Sequence, residues 1–251
     1  MSNNTKIEWA DATWNPITGC SKISEGCEHC YAERMAKRFP KIYPNGFKPT
    51  FHEKRLEEPL HWKKPRRIFV CSMGDLFHED VSIEWIYRVF DIMRRRQQHT
   101  FLLLTKRPER AKALTETMLR FYYPELKHAL TTLFPHVWLG VTIESIENLG
   151  RAEVALQTGF AHKFVSLEPL LSSVPIGQYL FPVENRGHFE WVIVGGETGP
   201  GARPMKYDWA RYVLDACIRL EVPFFFKKWG AGNNSRILDG REWNQMPEAM
   251  R

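Results

Sequence analysis

Three cysteines crowd into eleven positions of the 251-residue chain: Cys20, Cys27 and Cys30, within Gly19-Cys-Ser-Lys-Ile-Ser-Glu-Gly-Cys-Glu-His-Cys-Tyr31. The spacing is Cys-x6-Cys-x2-Cys, in a loop with Gly19 and Gly26 that runs into a helical pattern at Tyr31. Thiolates are soft ligands that suit zinc or an iron–sulfur cluster. A closed structural zinc site takes four ligands, and the candidates for a fourth are poor. His29 sits between two cysteines with little slack, and Cys71 and Cys217 lie far along the chain. A cubane cluster on three cysteines instead keeps one iron open to an exchangeable ligand. The donor set points first to a cluster, with zinc and unliganded thiols as the alternatives.

Other reactive or polar side chains follow apolar runs. Cys71 ends Arg67-Ile-Phe-Val-Cys71, and its S–H is a good hydrogen-atom donor, although free cysteine often simply packs. Ser72 and Asp75 come next; Gly74-Asp75 is also ordinary turn chemistry. Lys106 and Arg107 follow Leu102-Leu-Leu104, where a cation could pair with a carboxylate or a phosphate, or be a solvated loop residue. Glu144 and Ser145 follow Val141-Thr-Ile143, placed to accept from hydroxyls or to cap a helix. Glu168 precedes a proline and is expected extended. It and Glu197 could both bind ribose or substrate hydroxyls. Gly195 opens a glycine-rich segment that lacks the dinucleotide-binding spacing.

These residues need elements to hold them. The runs Arg67–Cys71, Thr100–Thr105, Val137–Thr142, Lys163–Leu167, Trp191–Val194 and Val222–Phe226 are nearly all apolar, as in parallel strands covered on both faces. A weaker strand is expected over Trp14 to Gly19 at the head of the series. The runs recur about every 25 to 37 residues, the length of a βα unit. Helical patterns lie at Tyr31–Phe39, Ser82–Arg96 and Tyr207–Leu220, with Asp80 or Ser82 as cap for the second. The sequence predicts an α/β fold, a parallel (β/α) partial barrel of six to seven units, with a doubly wound open sheet as the other candidate. The chemistry would sit at the carboxyl ends of the strands, as in other parallel α/β folds. A hairpin turning at Asp239-Gly240 closes the pattern. The expected organisation is one domain, 1–229 forming the barrel with its N-terminal cysteine loop and 230–251 a C-terminal extension packed on it.

The triad before a helix, on a parallel β/α chain, resembles the radical S-adenosylmethionine (SAM) superfamily. The opening Ile7-Glu-Trp-Ala-Asp-Ala-Thr-Trp-Asn-Pro-Ile-Thr-Gly-Cys20 looks like a phage- and bacteria-associated three-cysteine family of such proteins. The strand tips resemble the spore photoproduct lyase family. The resemblance implies that Cys20, Cys27 and Cys30 hold a [4Fe–4S] cluster and that SAM chelates the fourth iron. The spacing departs from the commoner x3/x2 pattern, so the first loop must be longer. By the same resemblance Cys71 would give a hydrogen atom to a product radical, and Ser72 and Asp75 would touch SAM. Lys106 would face its carboxylate, while Glu144 and Ser145 would contact ribose or methionine. Gly195 would lie on the adenine side and His29 would stack on adenine, with Tyr31 opening the cluster helix. Glu168 and Glu197 would touch cofactor or substrate. An external electron donor of the flavodoxin or ferredoxin type is implied as a partner.

Charge is modestly basic, 35 Lys+Arg against 29 Asp+Glu, a net +6. Basic residues interleave with aromatics, and Arg107, Arg203, Lys206, Lys228 and Trp229 are the candidates to meet phosphates or stack on a base. Apolar residues make up 43% and charged residues 25%, which excludes disorder. No apolar run approaches the ~20 residues of a membrane helix. The opening Met1 to Lys6 lacks a basic-plus-apolar signal, so a reducing cytoplasmic setting is expected. The leading expectation is a radical SAM enzyme acting on a nucleic acid base, in repair or modification. A zinc-stabilised nucleic-acid-binding module, or radical chemistry on a peptide or small metabolite, are the competitors.

Overall fold

Strand runs without alternation have no face to offer water, and most of them become covered strands here, whereas Arg67–Val70 alternates half-buried and buried residues. The computed structural model describes residues 5, 7–122, 131, 134–184 and 186–250. Seven strands form the main sheet: β1 (Ala12–Trp14), β4 (Arg67–Val70), β5 (Thr100–Thr105), β6 (Val137–Thr142), β7 (His162–Leu167), β8 (Val192–Val194) and β9 (Phe224–Phe226). Their order is β1-β4-β5-β6-β7-β8-β9, with parallel pairing. Each new strand is added beside the one before it. A doubly wound sheet reverses direction at a switch point; this order never reverses, so the winding is that of a partial (β/α) barrel. Every residue of β6, β8 and β9 is buried.

The start of the chain differs from the expected single strand over Trp14 to Gly19. Asn15 and Pro16 interrupt it, because proline has no N–H to give to a ladder. The Pro16 carbonyl instead accepts from His52 N at 2.7 Å. Beyond it, β2 (Ile17–Thr18) leaves the main sheet and pairs antiparallel with β3 (Thr50–Phe51).

Six helices occur among the described residues: α1 (Tyr31–Arg38), α2 (Glu53–Leu56), α3 (Ile83–Arg95), α4 (Pro108–Tyr122), α5 (Gly150–Leu156) and α6 (Tyr207–Arg219). Of the two cap candidates for α3, Ser82 serves, its Oγ accepting from Trp85 N at 3.2 Å. α4 opens on Pro108, where a missing N–H costs nothing.

The chain divides into two compact units. The first is Met1–Ser21, Ala32–Gly140 and Thr158–His162; the second is Lys22–Tyr31, Val141–Gln157 and Lys163–Arg251. In the first, Trp14, Phe77, Phe90, Phe101 and Phe134 are fully buried, with Phe90 edge-on to Phe134 at 5.2 Å. In the second, Leu167, Val194, Leu214, Phe189 and Phe224 form the core. Each such side chain contributes roughly 1.5–3 kcal/mol on burial. The second unit also carries the expected hairpin, β10 (Ile237–Leu238) and β11 (Arg241–Glu242). Asp239 (φ 54°) and Gly240 (φ 76°) are both left-handed, as a two-residue primed turn requires. No helix among the described residues is long and apolar enough to cross a membrane.

Candidate functional site

The cysteine segment divides between the units, Cys20 in the first and Cys27 and Cys30 in the second, and each part is held within its own unit. In the first unit, Gly19 N donates to Met73 O at 2.8 Å and Cys20 N to Phe47 O at 2.9 Å. Gly19 has φ 95°, and a Cβ there would lie 2.2 Å from Lys48 O, so only glycine fits. Beside Cys20 lies Arg107, 4% exposed. Its Nε donates to both oxygens of Glu79 at 2.9 and 3.0 Å. Its Nη1 reaches Cys20 Sγ at 3.4 Å and Asp75 Oδ2 at 3.3 Å. Its Nη2 reaches Ser21 O at 3.3 Å and Ser21 Oγ at 2.9 Å. Burial alone would lower the Arg107 pKa; Glu79, Cys20 and Asp75 more than offset this and hold it above its ordinary value.

His78 braces the same serine. Its Nδ1 accepts from Asp80 N at 3.0 Å, which places the ring proton on Nε2, 2.8 Å from Ser21 Oγ. Burial, then the Arg107 charge, push the His78 pKa down, which favours the neutral ring. Asp75 is equally occupied. It accepts from Thr105 Oγ1 at 2.9 Å, Phe77 N at 3.0 Å and Lys106 N at 3.2 Å.

In the second unit the fastening is Glu144, fully buried at the end of β6. Ser24 Oγ donates to its Oε1 at 2.5 Å, and Arg151 Nη1 to its Oε2 at 2.7 Å. Gly26 crosses so close that a Cβ would meet the Glu144 side chain at 2.4 Å. Ser24 Oγ also lies 3.5 Å from Cys27 Sγ. Further along, Arg203 grips Glu197 through Nε at 2.9 Å and Nη2 at 2.6 Å. The same Nη2 reaches back to Glu25 O at 2.9 Å, and Nη1 pairs with Glu28 at 3.3 Å. Burial would raise the Glu197 carboxyl, but bonds from the Arg203 side chain and backbone N–H outweigh it and hold the pKa below its usual value. The His29 ring lies against Gly201 of the glycine-rich segment.

A family model described as a protein of unknown function, DUF5131, matches residues 4–247. The chain belongs to the DUF5131 family. No curated protein and no solved structure matches it.

Thiol chemistry in the DUF5131 chain divides cleanly. None of its five cysteines is in a disulfide, and Cys20, Cys27 and Cys30 are half-buried whereas Cys71 and Cys217 are buried. Among the described residues no three or more His, Cys, Asp or Glu side chains are grouped to hold a metal ion. By donor chemistry alone, three half-buried cysteines suit zinc or an iron–sulfur cluster better than a hard cation. Cys71, expected as a hydrogen donor, packs against the core of the first unit with φ 56°. Burial pushes its thiol up to about 12.

The remaining candidates fall in several places. Ser72 Oγ exchanges hydrogen bonds with Asn15 at 3.2 and 3.3 Å. Lys106 is half-buried beside Asp75, and Tyr31 is 55% exposed. Glu168 forms an ion pair with Lys227 and precedes a cis proline, with Gly195 alongside. Ser145 is buried and accepts from Asn148 Nδ2 at 3.1 Å. Arg107, expected to meet phosphates, is instead turned onto Cys20 and two carboxylates. Arg203 is likewise committed to Glu197. Lys206 is exposed over Trp209, Trp229 stacks on Tyr207, and Lys228, which precedes Trp229 in the chain, is half-buried.

An open cleft of about 580 Å³ in the second unit is lined by Ser24, Glu25, Ser145, Glu147, Asn148, Leu171 and Ser172. Three serines and two carboxylates make it suited to hydroxyl-bearing ligands. Sequence reasoning missed Ser24, Arg151, Ser21 and Glu79. The signal for Ser21 and Ser24 was their place inside the cysteine spacing; Arg151 and Glu79 carried none.

Proposed function

We propose that this protein is a radical SAM enzyme whose cysteine loop holds a [4Fe–4S] cluster through Cys20, Cys27 and Cys30. When bound, the cluster and SAM supply a 5′-deoxyadenosyl radical by one-electron cleavage of a carbon–sulfur bond. The chain's own work is to hold and shield. Arg107 fixes the Cys20–Ser21 limb, Glu144 fixes Ser24, and Arg203 ties Glu25 and Glu28 to Glu197. His29, against Gly201, offers a ring to a flat ligand. The cleft beside Ser24 and Ser145 offers hydroxyl partners for a ribose.

The observation that carries this reading is the investment in one loop. Three arginines and three buried carboxylates, Asp75, Glu144 and Glu197, secure a short stretch whose cysteines are half-buried. A surface loop without a ligand gains nothing from such placement, whereas an iron–sulfur site needs its thiolates held in fixed positions. The favoured substrate is a nucleic acid base, with Lys206, Lys228 and Trp229 as the exposed or half-exposed basic and aromatic contacts. A flavodoxin or ferredoxin type donor would supply electrons, and a reducing cytoplasmic compartment would keep the thiols available.

Anaerobic purification with iron and sulfide analysis tests the cofactor. A brown protein with about four irons per chain supports it; a colourless protein with one zinc overturns it. Cys27→Ala should abolish iron loading and 5′-deoxyadenosine formation together. Incubation with SAM, dithionite and oligonucleotides, followed by mass spectrometry, tests the substrate. A modified peptide or metabolite with unmodified nucleic acid would move the same chemistry to another class.

A further inference from the structure

We infer that Arg107 is a positioning residue that sets the redox poise of the site through its hydrogen bond to Cys20, an inference that rests on the proposed cluster. A guanidinium has five N–H donors, and here every one has a target. Nε–H goes to Glu79, the two on Nη1 to Cys20 Sγ and Asp75, and the two on Nη2 to Ser21 O and Ser21 Oγ. The carboxylates fix the plane of the fork and Ser21 fixes its far corner. The bond to sulfur is thereby aimed, not incidental. Lysine has three donors at a single point and cannot reach all these partners at once.

A merely structural clamp would be complete with Glu79, Asp75 and Ser21. The Nη1···Sγ distance of 3.4 Å adds a cationic donor on a ligand sulfur. Hydrogen bonds to cluster sulfurs favour the more electron-rich state and so raise the reduction potential. Asp75 and Glu79 neutralise much of the long-range field of the guanidinium, so its influence is local and directional. Ser21 receives the same guanidinium and the His78 ring, which keeps the limb from turning Cys20 away.

The test compares wild type, Arg107→Gln, Arg107→Lys and Ser21→Ala after reconstitution with iron and sulfide. The readouts are iron per chain and the reduction potential from an EPR-monitored dithionite titration. Arg107→Gln should lower the reduced-to-oxidised ratio at fixed potential about tenfold, roughly 59 mV for a one-electron couple. Arg107→Lys should recover part of the shift. Ser21→Ala leaves every charge in place on an exposed residue, and should move the potential the same way by about two- to threefold. An Arg107→Gln cluster with the wild-type potential overturns the inference while leaving the cluster assignment intact. If Arg107→Gln does not fold, Ser21→Ala decides, and an unshifted potential overturns it. Wild type that takes up no iron removes both the cluster and this role.

Discussion

Ser24 donates its hydroxyl proton to Oε1 of Glu144 across 2.5 Å, although the two residues are 120 positions apart. This bond makes Glu144 a fastening of the cysteine loop. The carboxylate is fully buried, with Arg151 on its other oxygen at 2.7 Å. Breaking a buried ion pair from one side costs about 3–5 kcal/mol, and removing a single hydroxyl donor about 1 kcal/mol. Glu144→Ala should therefore lower the unfolding free energy several times more than Ser24→Ala, measured by urea denaturation. Equal effects would mean that the pair with Arg151 contributes little.

Gly19 and Gly46 offer a matched comparison. Both have positive φ, 95° and 63°, but only Gly19 is crowded, whereas a Cβ at Gly46 meets nothing within 4 Å. Gly46→Ala bears left-handed strain alone, about 1–2 kcal/mol. Gly19→Ala must in addition move the Lys48 carbonyl or the loop itself. Thermal denaturation should show a clearly larger loss for Gly19→Ala, and under the proposed cluster Gly19→Ala should also lower iron uptake, since Cys20 is the next residue. Comparable melting temperatures would show that the loop yields freely.

Much of this architecture is legible in the sequence because it rests on local patterns. The apolar runs over Thr100–Thr105 and Val137–Thr142 match β5 and β6 residue for residue. Ser82 and Asp239-Gly240 do what their chemistry implies within three residues of chain. What was not legible depends on distant partners. Arg107 was expected to face phosphates because nothing near it reveals Ser21, 86 residues earlier. Glu144 looked like a ligand contact until Ser24 was placed against it. The departure of β2 from the main sheet required β3, a two-residue strand with no pattern of its own.

His52 gives the first unit a dependence on pH. Its Nε2 lies 2.7 Å from Thr18 Oγ1, and burial, with help from Arg55, drops its pKa from 6.5 to about 4. The unfolded chain therefore binds a proton in a range where the folded ring does not. Stability is full above pH 6.5 and is lost as pH falls from about 6.5 to about 4. His52→Gln should flatten that part of a stability profile measured by denaturant titration at successive pH values. A slope unchanged by the substitution would assign the acid sensitivity to other groups.

The five cysteines should separate by reactivity in the native apoprotein. The thiolate is the reactive form, and burial raises the thiol pKa of both Cys71, to about 12, and Cys217. Both side chains are also closed to reagent, at 3% and 1% exposure. Cys20, Cys27 and Cys30 are half-buried on the loop. Brief alkylation under anaerobic conditions should modify these three and spare the other two, as read by peptide mass spectrometry. Reconstitution with iron and sulfide beforehand should then protect all three together, because a shared cluster removes every thiolate at once. Protection of Cys27 and Cys30 without Cys20 would break the proposed ligand set, and rapid labelling of Cys71 would return it to consideration as a hydrogen-atom donor.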